Sequence, residues 1–429
     1  MRDFARSDSP EVQTQLDRLG ELSVPDGRLG LETIRSLLAR LGDPHRHLPP
    51  VLHVAGTNGK GSTCAFLRAM LEAQGYSVHA TTSPHLVRYN ERIRIAGQLI
   101  TDERLAALLA EVLDAGEDLS PSFFEVTIAA AFTEFARVPA DVCVVEVGLG
   151  GRFDATNVIE SPASCGIAAL GIDHERFLLA PEAGTPDVPI ERIAFEKAGI
   201  AKQGRPLATL SYSEGPARQI ALAAERSGAI LAMHDRAWSI EQKADGLHYR
   251  DAAGELSLPL PTMPGLHQFS NAGLAIAMLR HQDVLSISDD AIARGMVTAH
   301  WPARLQRLSA GPIAGTRTVW LDGGHNRDAG EALKRHFGES RFHLVIGMLD
   351  AKDPEGITGP LADNIASITA IPVPGHDWHP AQAFAADAVE AGDVTEAMSL
   401  IPDDGLPVLI AGSLYLAGEV LRLNHEAVD

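Results

Sequence analysis

The chain has 429 residues, of which 45% are hydrophobic and 21% charged, and it contains 39 Gly and 26 Pro. This composition is typical of a globular protein with sizeable cores, and it excludes whole-chain disorder, a collagen and a single small domain. The formal net charge of −20 repels nucleic acid and anionic membranes at long range. A bound polyphosphate must therefore be held by local groups.

The cysteines and the apolar runs indicate the compartment. Cys64, Cys143 and Cys165 lie far apart, form no CxxC pair and are odd in number, which argues against a disulfide framework and a Cys-based zinc site. The first 26 residues lack the apolar core of a secretory signal, and the apolar runs stop short of the roughly 18 residues that a membrane span needs. We expect a soluble, cytoplasmic monomer with no nucleic-acid or membrane partner.

Strands and helices alternate in the first part of the chain. Apolar residues at helical spacing from Leu31 to Leu41 predict an amphipathic helix that ends at Gly42. A Pro-, Gly- and acid-rich exposed loop is predicted at 178–189, and short hairpins at 238–258. Further strands are predicted at 51–55, 76–82, 141–147 and 163–170. One further helix is predicted directly after the loop at 56–62, and others at 103–113, 124–135 and 190–199. This alternation predicts a parallel sheet covered on both faces.

The pattern restarts after Trp301 and Pro302. Strands are predicted at 318–321, 343–346, 367–371 and 407–410, and helices from 328 and near 381–391. This second α/β part is large enough to be a domain. We therefore predict a two-domain α/β protein, with residues 1–302 forming the first domain and residues 303–429 the second.

A glycine-rich segment, Gly56–Ser62 (GTNGKGS), stands between a predicted strand and a predicted helix. Its small residues let the backbone approach phosphate oxygens, its N–H groups lie at a helix N-terminus, and Lys60 adds a cation. The segment departs from the pattern G-x-x-x-x-G-K-[ST], because Gly61 follows the lysine and displaces the metal-binding hydroxyl. The alternative interpretation is a glycine turn that begins a helix, with Ser62 as its cap.

One segment and two single residues are candidates for metal chemistry. The segment Thr81-Thr82-Ser83-Pro84, at the end of a strand, is a candidate source of the Mg²⁺-binding hydroxyl, although Ser-Pro also begins turns. Glu146 ends an apolar strand at the sheet edge where ligands bind, or is a solvated rim residue. His174 is either a ligand or a loop histidine. Lys197, near a helix C-terminus, has the spacing of a surface lysine.

These motifs together resemble the bacterial, bifunctional folylpolyglutamate synthase/dihydrofolate synthase family of the Mur ligase superfamily. The segments that carry the resemblance are His53–Ser62, Thr82–Leu86, Asn90–Ile93 and Val144–Asn157 (VVEVGLGGRFDATN). It continues through residues 172–174, 195–200, 267–272, 301–306, 321–326, 347–353 and 412–419, and so covers nearly the whole chain. It implies a P-loop ATPase domain with a pterin site, followed by a smaller Rossmann-like ligase domain.

The resemblance also implies an activity and a set of site residues. The activity is ATP-dependent addition of L-glutamate to dihydropteroate, to reduced folates or to both, through an acyl phosphate. Implied ATP contacts are Thr57, Asn58, Gly59, Lys60, Gly61, Ser62, Asn271, Arg304, Asp322 and His325. One Mg²⁺ would bind Ser83 and Glu146, and a second Glu146, His174 and a carbamylated Lys197, so that Lys60, His174 and Lys197 serve catalysis. The implied pterin-site residues are Arg28, Leu29, Gly30, Ser122, Phe123, Phe124, Glu125, Phe153, Asp154 and Ala155.

Structural interpretations of several of these residues stay open at this point. Phe123 and Phe124 can be helix core, Arg304 part of an ion pair, and Asn271 a helix cap. Asp322 and His325 can form a turn with Asn326. The connection from His174 to Lys197 is also longer than is usual in the family, which bears on the second metal site.

Two other functions remain as alternatives. A Mur-type ligase acting on a UDP-linked peptide would share the glycine-rich lysine loop, but the VVEVGLGGRFDATN and TSPHL segments argue against it. A nucleotide-dependent switch would bind ATP without ligation chemistry. Turnover of a UDP-sugar substrate would favour the first alternative, and activity unchanged by Lys197→Ala and Glu146→Gln would favour the second.

Overall fold

The structure is a computed structural model that describes residues 7–22 and 30–427. Contacts divide this chain into two compact units. The first contains the described residues up to 84 together with 88–262 and 269–300, and the second contains 85–87, 263–268 and the residues from 301 onward. Within the described ranges, every helix is too short or too polar to cross a membrane.

The first unit is built on eleven strands among its described residues. They are β1 (Val51–Ala55), β2 (Val78–Thr81), β3 (Ile93–Ile95), β4 (Gln98–Leu99), β5 (Val142–Glu146), β6 (Ser164–Ile167), β7 (Pro206–Thr209), β8 (Ile230–Met233), β9 (Trp238–Lys243), β10 (Gly246–Asp251) and β11 (Gly254–Leu258). The helices up to residue 300 are α1 (Pro10–Glu21), α2 (Glu32–Arg40), α3 (Lys60–Gln74), α4 (Asp102–Gly116), α5 (Phe123–Arg137), α6 (Glu175–Leu178), α7 (Pro189–Ala198), α8 (Glu214–Ser227), α9 (His267–Arg280) and α10 (Asp289–Thr298).

The large sheet of this unit has the strand order β4-β3-β2-β5-β1-β6-β7-β8. Strand β1 is central and runs parallel to both β5 and β6, and only β3 and β4 at one edge are antiparallel. Every residue of β1, β2, β5, β6 and β7 is buried, as expected for strands covered on both faces. The carboxyl ends of the parallel strands therefore lie along one edge, where ligands bind in this class of sheet.

Helices cover both faces of the large sheet, which confirms the predicted α/β layering. Apolar residues of α2, α4 and α5 form one core with Val51, Cys143 and Val145. Residues of α7 and α8 form another with Ala55 and Cys165. The predicted hairpins are also present, as the antiparallel sheet β11-β10-β9.

The second unit has its own six-stranded sheet with the order β12-β13-β17-β14-β15-β16. The strands are β12 (Gln306–Arg307), β13 (Val319–Leu321), β14 (Phe342–Ile346), β15 (Ile365–Ala370), β16 (Val389–Glu390) and β17 (Val408–Ala411). The helices are α11 (Arg327–Phe337), α12 (Glu355–Leu361), α13 (Val394–Leu400) and α14 (Leu414–Leu423). All pairs except β12–β13 are parallel, so this unit is α/β as well.

The helix predicted near 381–391 is wrong. This Ala-rich segment forms only a 3₁₀ turn at Ala381–Ala383, and its end is β16, whose Val389 pairs with Thr369 of β15. The side chains of Ala381 and Phe384 are buried in the core of the second unit. Burial and edge pairing thus outweigh the helix propensity of alanine, which is a weak determinant by comparison.

Candidate active site

The glycine-rich segment follows the carboxyl end of β1 and forms hydrogen bonds with the residues that follow β6. The backbone N–H of Thr57 donates to the Ala169 carbonyl at 2.8 Å, and the Thr57 hydroxyl donates to the Gly171 carbonyl at 2.9 Å. Gly56 has φ +153°, and a Cβ there would lie 2.8 Å from the Ala168 Cβ. The loop is therefore held by its own backbone, and glycine is required where it passes Ala168.

Helix α3 begins at Lys60, directly after Gly59 in a left-handed conformation with φ +84°. The first N–H groups of a helix have no intrahelical partner and attract anions, so the start of α3 faces the loop with donors available for phosphate. A Cβ at Gly59 would lie 2.4 Å from the Asn271 Oδ1. Asn271 is therefore a buried residue inside α9 that lies against the loop, and it is not a helix cap.

Two lysine amines converge on the loop. Lys60 Nζ donates to the Gly56 carbonyl at 3.1 Å and to the Thr57 carbonyl at 3.3 Å, and Lys197 Nζ donates to the same Gly56 oxygen at 2.9 Å. Lys197 is only 4% exposed, so the interpretation as a surface lysine is wrong. The helix spacing alone did not show that the last turn of α7 packs inward.

The surroundings of Lys197 lower its pKa to about 7. Burial is the largest cause and the positive charge of Lys60 adds to it, whereas the carboxylates of Asp173, Asp154 and Glu196 act in the opposite direction. A substantial fraction of this amine is therefore neutral near neutral pH. A neutral amine can act as a nucleophile, which an ammonium cannot.

Glu146 and Ser83 lie together on the same sheet edge. Glu146 is the last residue of β5 and pairs in register with Val54 of β1, and its side chain is buried. The backbone N–H of Ser83, just after β2, donates to Glu146 Oε2 at 3.2 Å. The interpretation of Glu146 as a solvated rim residue is therefore wrong. Carboxylate and hydroxyl oxygens are hard donors that Mg²⁺ prefers, and Glu146 and Ser83 carry one of each.

His174 lies in the segment that follows β6, the strand that pairs with β1. It adopts a left-handed conformation with φ 54°, and its N–H donates to Asp173 Oδ1 at 2.7 Å. The preceding Gly171 is bonded to Thr57, and the Asp173 charge acts on Lys197. Within 7–22 and 30–427, no group of three or more His, Cys, Asp or Glu side chains is arranged to hold a metal. His174 therefore lies in a segment that is held next to the glycine-rich loop, and its role as a metal ligand stays a prediction.

The turn Gly148–Gly151 after β5 is packed on both sides. A Cβ at Gly148 would lie 2.4 Å from Phe124 Cζ, and one at Gly151 would lie 2.8 Å from the Lys197 carbonyl oxygen. The buried Asp154 accepts the N–H of Leu149 at 2.7 Å and so closes this turn. Phe124 and Asp154, two of the predicted pterin-site residues, are therefore brought to the same turn.

The other predicted pterin-site residues make local contacts. Ser122 caps α5 and exchanges hydrogen bonds with Glu125, and Phe123 contacts the Tyr89 ring edge-on with centroids 5.7 Å apart. Phe153 lies 4.1 Å beneath the Arg152 guanidinium, Ala155 is buried, and Gly30 precedes α2. Arg28 and Leu29 lie outside the described residues.

The long connection between His174 and Lys197 forms salt bridges with residues close to Lys197. Its Glu182 pairs with both Arg152 and Arg192. Arg152 also pairs with Glu196, the neighbour of Lys197. These contacts could not be predicted from the sequence, because nothing in the residue spacing indicates which arginine an exposed glutamate will reach.

In the second unit, Asp322 organises the loop after β13. Its Oδ2 accepts the Leu305 N–H at 2.8 Å, and its Oδ1 accepts the Gly324 N–H at 2.7 Å, so the predicted turn is present. His325 Nδ1 lies 3.1 Å from the Gly323 carbonyl. Burial and the positive charge of Arg304 lower the pKa of His267 to about 4, while the Asp322 charge opposes them. Arg304 and Asp322 therefore act on the same partly buried ring.

Comparisons with known proteins agree on one family, although no family model matches the chain. The chain is 35% identical to the dihydrofolate synthase/folylpolyglutamate synthase of Bacillus subtilis, over 92% of this chain and 94% of the relative. It superimposes with a TM-score of 0.85 on E. coli FolC in complex with DHPP and ADP, at 32% identity over 97% of both chains. It superimposes with a TM-score of 0.84 on a bifunctional folylpolyglutamate synthase/dihydrofolate synthase with Mn, AMPPNP and L-glutamate bound, at 32% identity over 99% of this chain and 100% of that one.

These similarities extend over almost the full length of both partners, and they agree with the α/β fold and with the motifs read from the sequence. Such coverage at this identity excludes a relationship limited to the glycine-rich lysine loop. The chain therefore belongs to the dihydrofolate synthase/folylpolyglutamate synthase family, which has the Mur ligase fold, and it is an ATP-dependent ligase of folate metabolism.

Proposed function

We propose that this chain adds L-glutamate to 7,8-dihydropteroate, to the γ-carboxyl group of reduced folates or to both, in two steps. The carboxylate of the pterin substrate first attacks the γ-phosphorus of ATP and displaces ADP, which gives an acyl phosphate. The amine of glutamate then attacks the acyl carbon, and phosphate leaves as the amide forms. The relatives with DHPP and ADP, and with AMPPNP and L-glutamate, support these substrates.

The observation that carries the proposal is the convergence of Lys60 and Lys197 on the Gly56 carbonyl. Lys60, with the backbone of residues 57–62, would bind the ATP phosphates and offset the charge that develops during phosphoryl transfer. Asn271, Arg304, Asp322 and His325 are the further residues that we propose to contact the adenine, phosphate and ribose of ATP. We assign ATP and pterin binding to residues 1–302 and the C-terminal ligase domain to residues 303–429.

Two Mg²⁺ ions are part of the proposal, and the buried carboxylate of Glu146 is an oxygen donor of the kind that Mg²⁺ prefers. One would bind Ser83 and Glu146, and the other Glu146, His174 and Lys197 after carbamylation. The Lys197 amine is suited to this modification, because its lowered pKa leaves a neutral nitrogen that can add CO₂ and lose a proton. The carbamate is an anionic oxygen donor, as hard cations require. Bound divalent cations would neutralise charge on the phosphate oxygens. The relative with bound Mn supports a divalent ion.

The pterin ring would lie among Phe123, Phe124, Phe153, Asp154 and Ala155, together with Arg28, Leu29, Gly30, Ser122 and Glu125. Phe124 and Phe153 offer partly exposed aromatic faces, which suit a flat heteroaromatic ring. Asp154 joins this group to the Gly148–Gly151 turn. A Cβ at Gly151 of the same turn would lie 2.8 Å from the Lys197 carbonyl oxygen, and this proximity supports placing the pterin ring near Lys197.

The test measures products in the presence of ATP and Mg²⁺. The protein is incubated with dihydropteroate or tetrahydrofolate, with and without L-glutamate, and phosphate release and the amide product are quantified. We expect both to depend on glutamate with at least one pterin. A complete lack of glutamate-dependent amide product with both pterins would contradict the proposal. The relative rates with the two pterins distinguish first glutamylation from chain elongation.

A further inference from the structure

A buried chain of hydrogen bonds runs from the central strand β1 to the Gly148–Gly151 turn. The His53 ring is fully buried, and its Nε2 lies 2.8 Å from the Thr156 hydroxyl. That hydroxyl lies 2.5 Å from Asp154 Oδ1. Asp154 Oδ2 then accepts the Leu149 N–H at 2.7 Å. The chain thus connects the strand that carries the phosphate loop with the turn that contacts Phe124 and Lys197.

The hydrogen bonds of this chain have a fixed direction. Asp154 accepts at both oxygens, because Oδ1 also receives the Thr156 N–H at 3.0 Å. When Asp154 is ionised, the Thr156 hydroxyl donates its only proton to Asp154 and accepts from His53. Burial holds the pKa of His53 at about 3, so the ring is neutral and carries one N–H. That N–H must be on Nε2, and His53 Nδ1 correspondingly has no hydrogen-bond partner among the described residues.

This arrangement fixes the orientation of the Asp154 carboxyl group. Burial raises the pKa of Asp154, and the N–H of Leu149 together with the N–H and hydroxyl of Thr156 oppose that rise by donating to the ionised group. Hydrogen bonds in series polarise one another, so the His53 donor strengthens the bond from Thr156 to Asp154. Without that donor, the Thr156 hydroxyl would have a buried lone pair without a partner, and another rotamer of Thr156 would become competitive.

We propose that His53 is a positioning residue for the ligase reaction. Its Nε2–H fixes the Thr156 hydroxyl, which orients the Asp154 carboxylate and thereby holds the Gly148–Gly151 turn against Phe124. His53 touches no substrate in this role and acts only through Thr156 and Asp154. The inference rests on the proposed function, because the turn matters to the reaction only if Phe124 and Asp154 line the pterin site.

The test compares substitutions that keep or remove each donor. His53→Gln places an amide N–H close to the Nε2 position, whereas His53→Met has similar volume and no donor. We expect His53→Met to raise the KM for the pterin substrate about tenfold, with the KM for ATP changed by less than about twofold, and His53→Gln to restore the pterin KM to within about threefold of the parent. Equal pterin KM values for His53→Met and His53→Gln would overturn the proposal.

Thr156 gives a second, independent measurement. Thr156→Val has nearly the same shape without the hydroxyl, and Thr156→Ser keeps it. Since His53 acts through this hydroxyl, the double variant His53→Met/Thr156→Val should raise the pterin KM no more than Thr156→Val alone. Additive increases in the pterin KM would contradict the proposal that His53 acts through Thr156. If His53→Met does not fold, the comparison of Thr156→Val with Thr156→Ser gives the same test.

A spectroscopic measurement separates this inference from the proposed function. Nitrogen-15 NMR of the His53 ring, assigned with His53→Gln, should show the neutral Nε2–H tautomer from about pH 5 to pH 9, well above the pKa that burial imposes. A proton on Nδ1, or protonation of the ring near the ordinary histidine pKa, would contradict the proposed series of hydrogen bonds, whatever activity is measured. Failure of the proposed function would instead appear as a lack of amide product from the parent protein.

Discussion

The side-chain amines of Lys60 and Lys197 donate to the same carbonyl oxygen, that of Gly56, at 3.1 and 2.9 Å. Burial is the main cause that lowers the pKa of Lys197, and the positive charge of Lys60 beside it lowers that pKa further. Lys60, at the start of α3, is half-buried, while Lys197 is enclosed. Lys197 therefore gives up its proton at a lower pH than an ordinary lysine does.

This relationship predicts a pH-dependent stability. Unfolding returns Lys197 to an ordinary lysine pKa, so between about pH 7 and pH 10 the unfolded chain binds more protons than the folded one, and stability rises with pH. In CO₂-free buffer we expect the free energy of unfolding to gain about 2 kcal/mol from this group between about pH 7 and pH 9. Urea unfolding should show that Lys197→Met lacks this gain, while Lys243→Met, at a half-exposed site, keeps it. The same slope in Lys197→Met and the parent would refute the assignment.

The glycines at the two ends of α3 allow the effect of backbone strain to be separated from the effect of contact with Asn271. Gly59 and Gly75 both have positive φ, but a Cβ at Gly59 would meet Asn271 at 2.4 Å, whereas nothing lies within 4 Å of one at Gly75. Both alanine substitutions should cost about 1–2 kcal/mol of stability through backbone strain. Only Gly59→Ala should also weaken ADP binding, by at least about tenfold, as measured by calorimetry. Equal ADP affinities in the two variants would argue against a nucleotide role for this loop.

Two buried glutamates provide a matched pair for the metal proposal. Glu146 lies at the carboxyl edge beside Ser83, and Glu134 is paired with Arg104 on α4. We expect Glu146→Gln to lower kcat at least about 100-fold and to raise the Mg²⁺ concentration needed for half-maximal rate, because an anionic ligand is lost. Glu134→Gln should reduce stability while leaving the Mg²⁺ dependence unchanged. Initial rates over a Mg²⁺ titration decide between these outcomes.

Asp322 should matter for the stability of the second unit as well as for nucleotide binding. Both of its oxygens accept backbone N–H groups, so Asp322→Asn turns one amide N–H₂ toward a donor. We expect this change to lower the free energy of unfolding by about 1–3 kcal/mol, whereas Asp363→Asn, at an exposed side chain, should change it by less than about 0.5 kcal/mol. Thermal unfolding measures both. A shift no larger for Asp322→Asn than for Asp363→Asn would exclude the structural role.

Much of the candidate site could be predicted from local pattern. The strand before Gly56, the glycines and Lys60 define a phosphate loop, because a loop of this kind depends on residues that are adjacent in the chain. The position of Glu146 at a sheet edge followed from the end of one apolar strand. By contrast, the alternatives for Lys197 and Asn271 were resolved by contacts between segments more than a hundred residues apart.

Residue patterns along the chain are sufficient to predict the α/β class, the phosphate loop, the carboxyl-edge position of Glu146 and, through its motifs, the family. These features depend on periodicity and on chemistry between residues that are adjacent in the chain. The folded structure was needed to show that Lys197 is buried against Gly56, that 381–391 forms a turn and an edge strand, and that His53 is connected to Asp154 through Thr156. Those features depend on which segments, far apart in the sequence, pack together and exclude water. The local spacing of residues does not show which segments will do so.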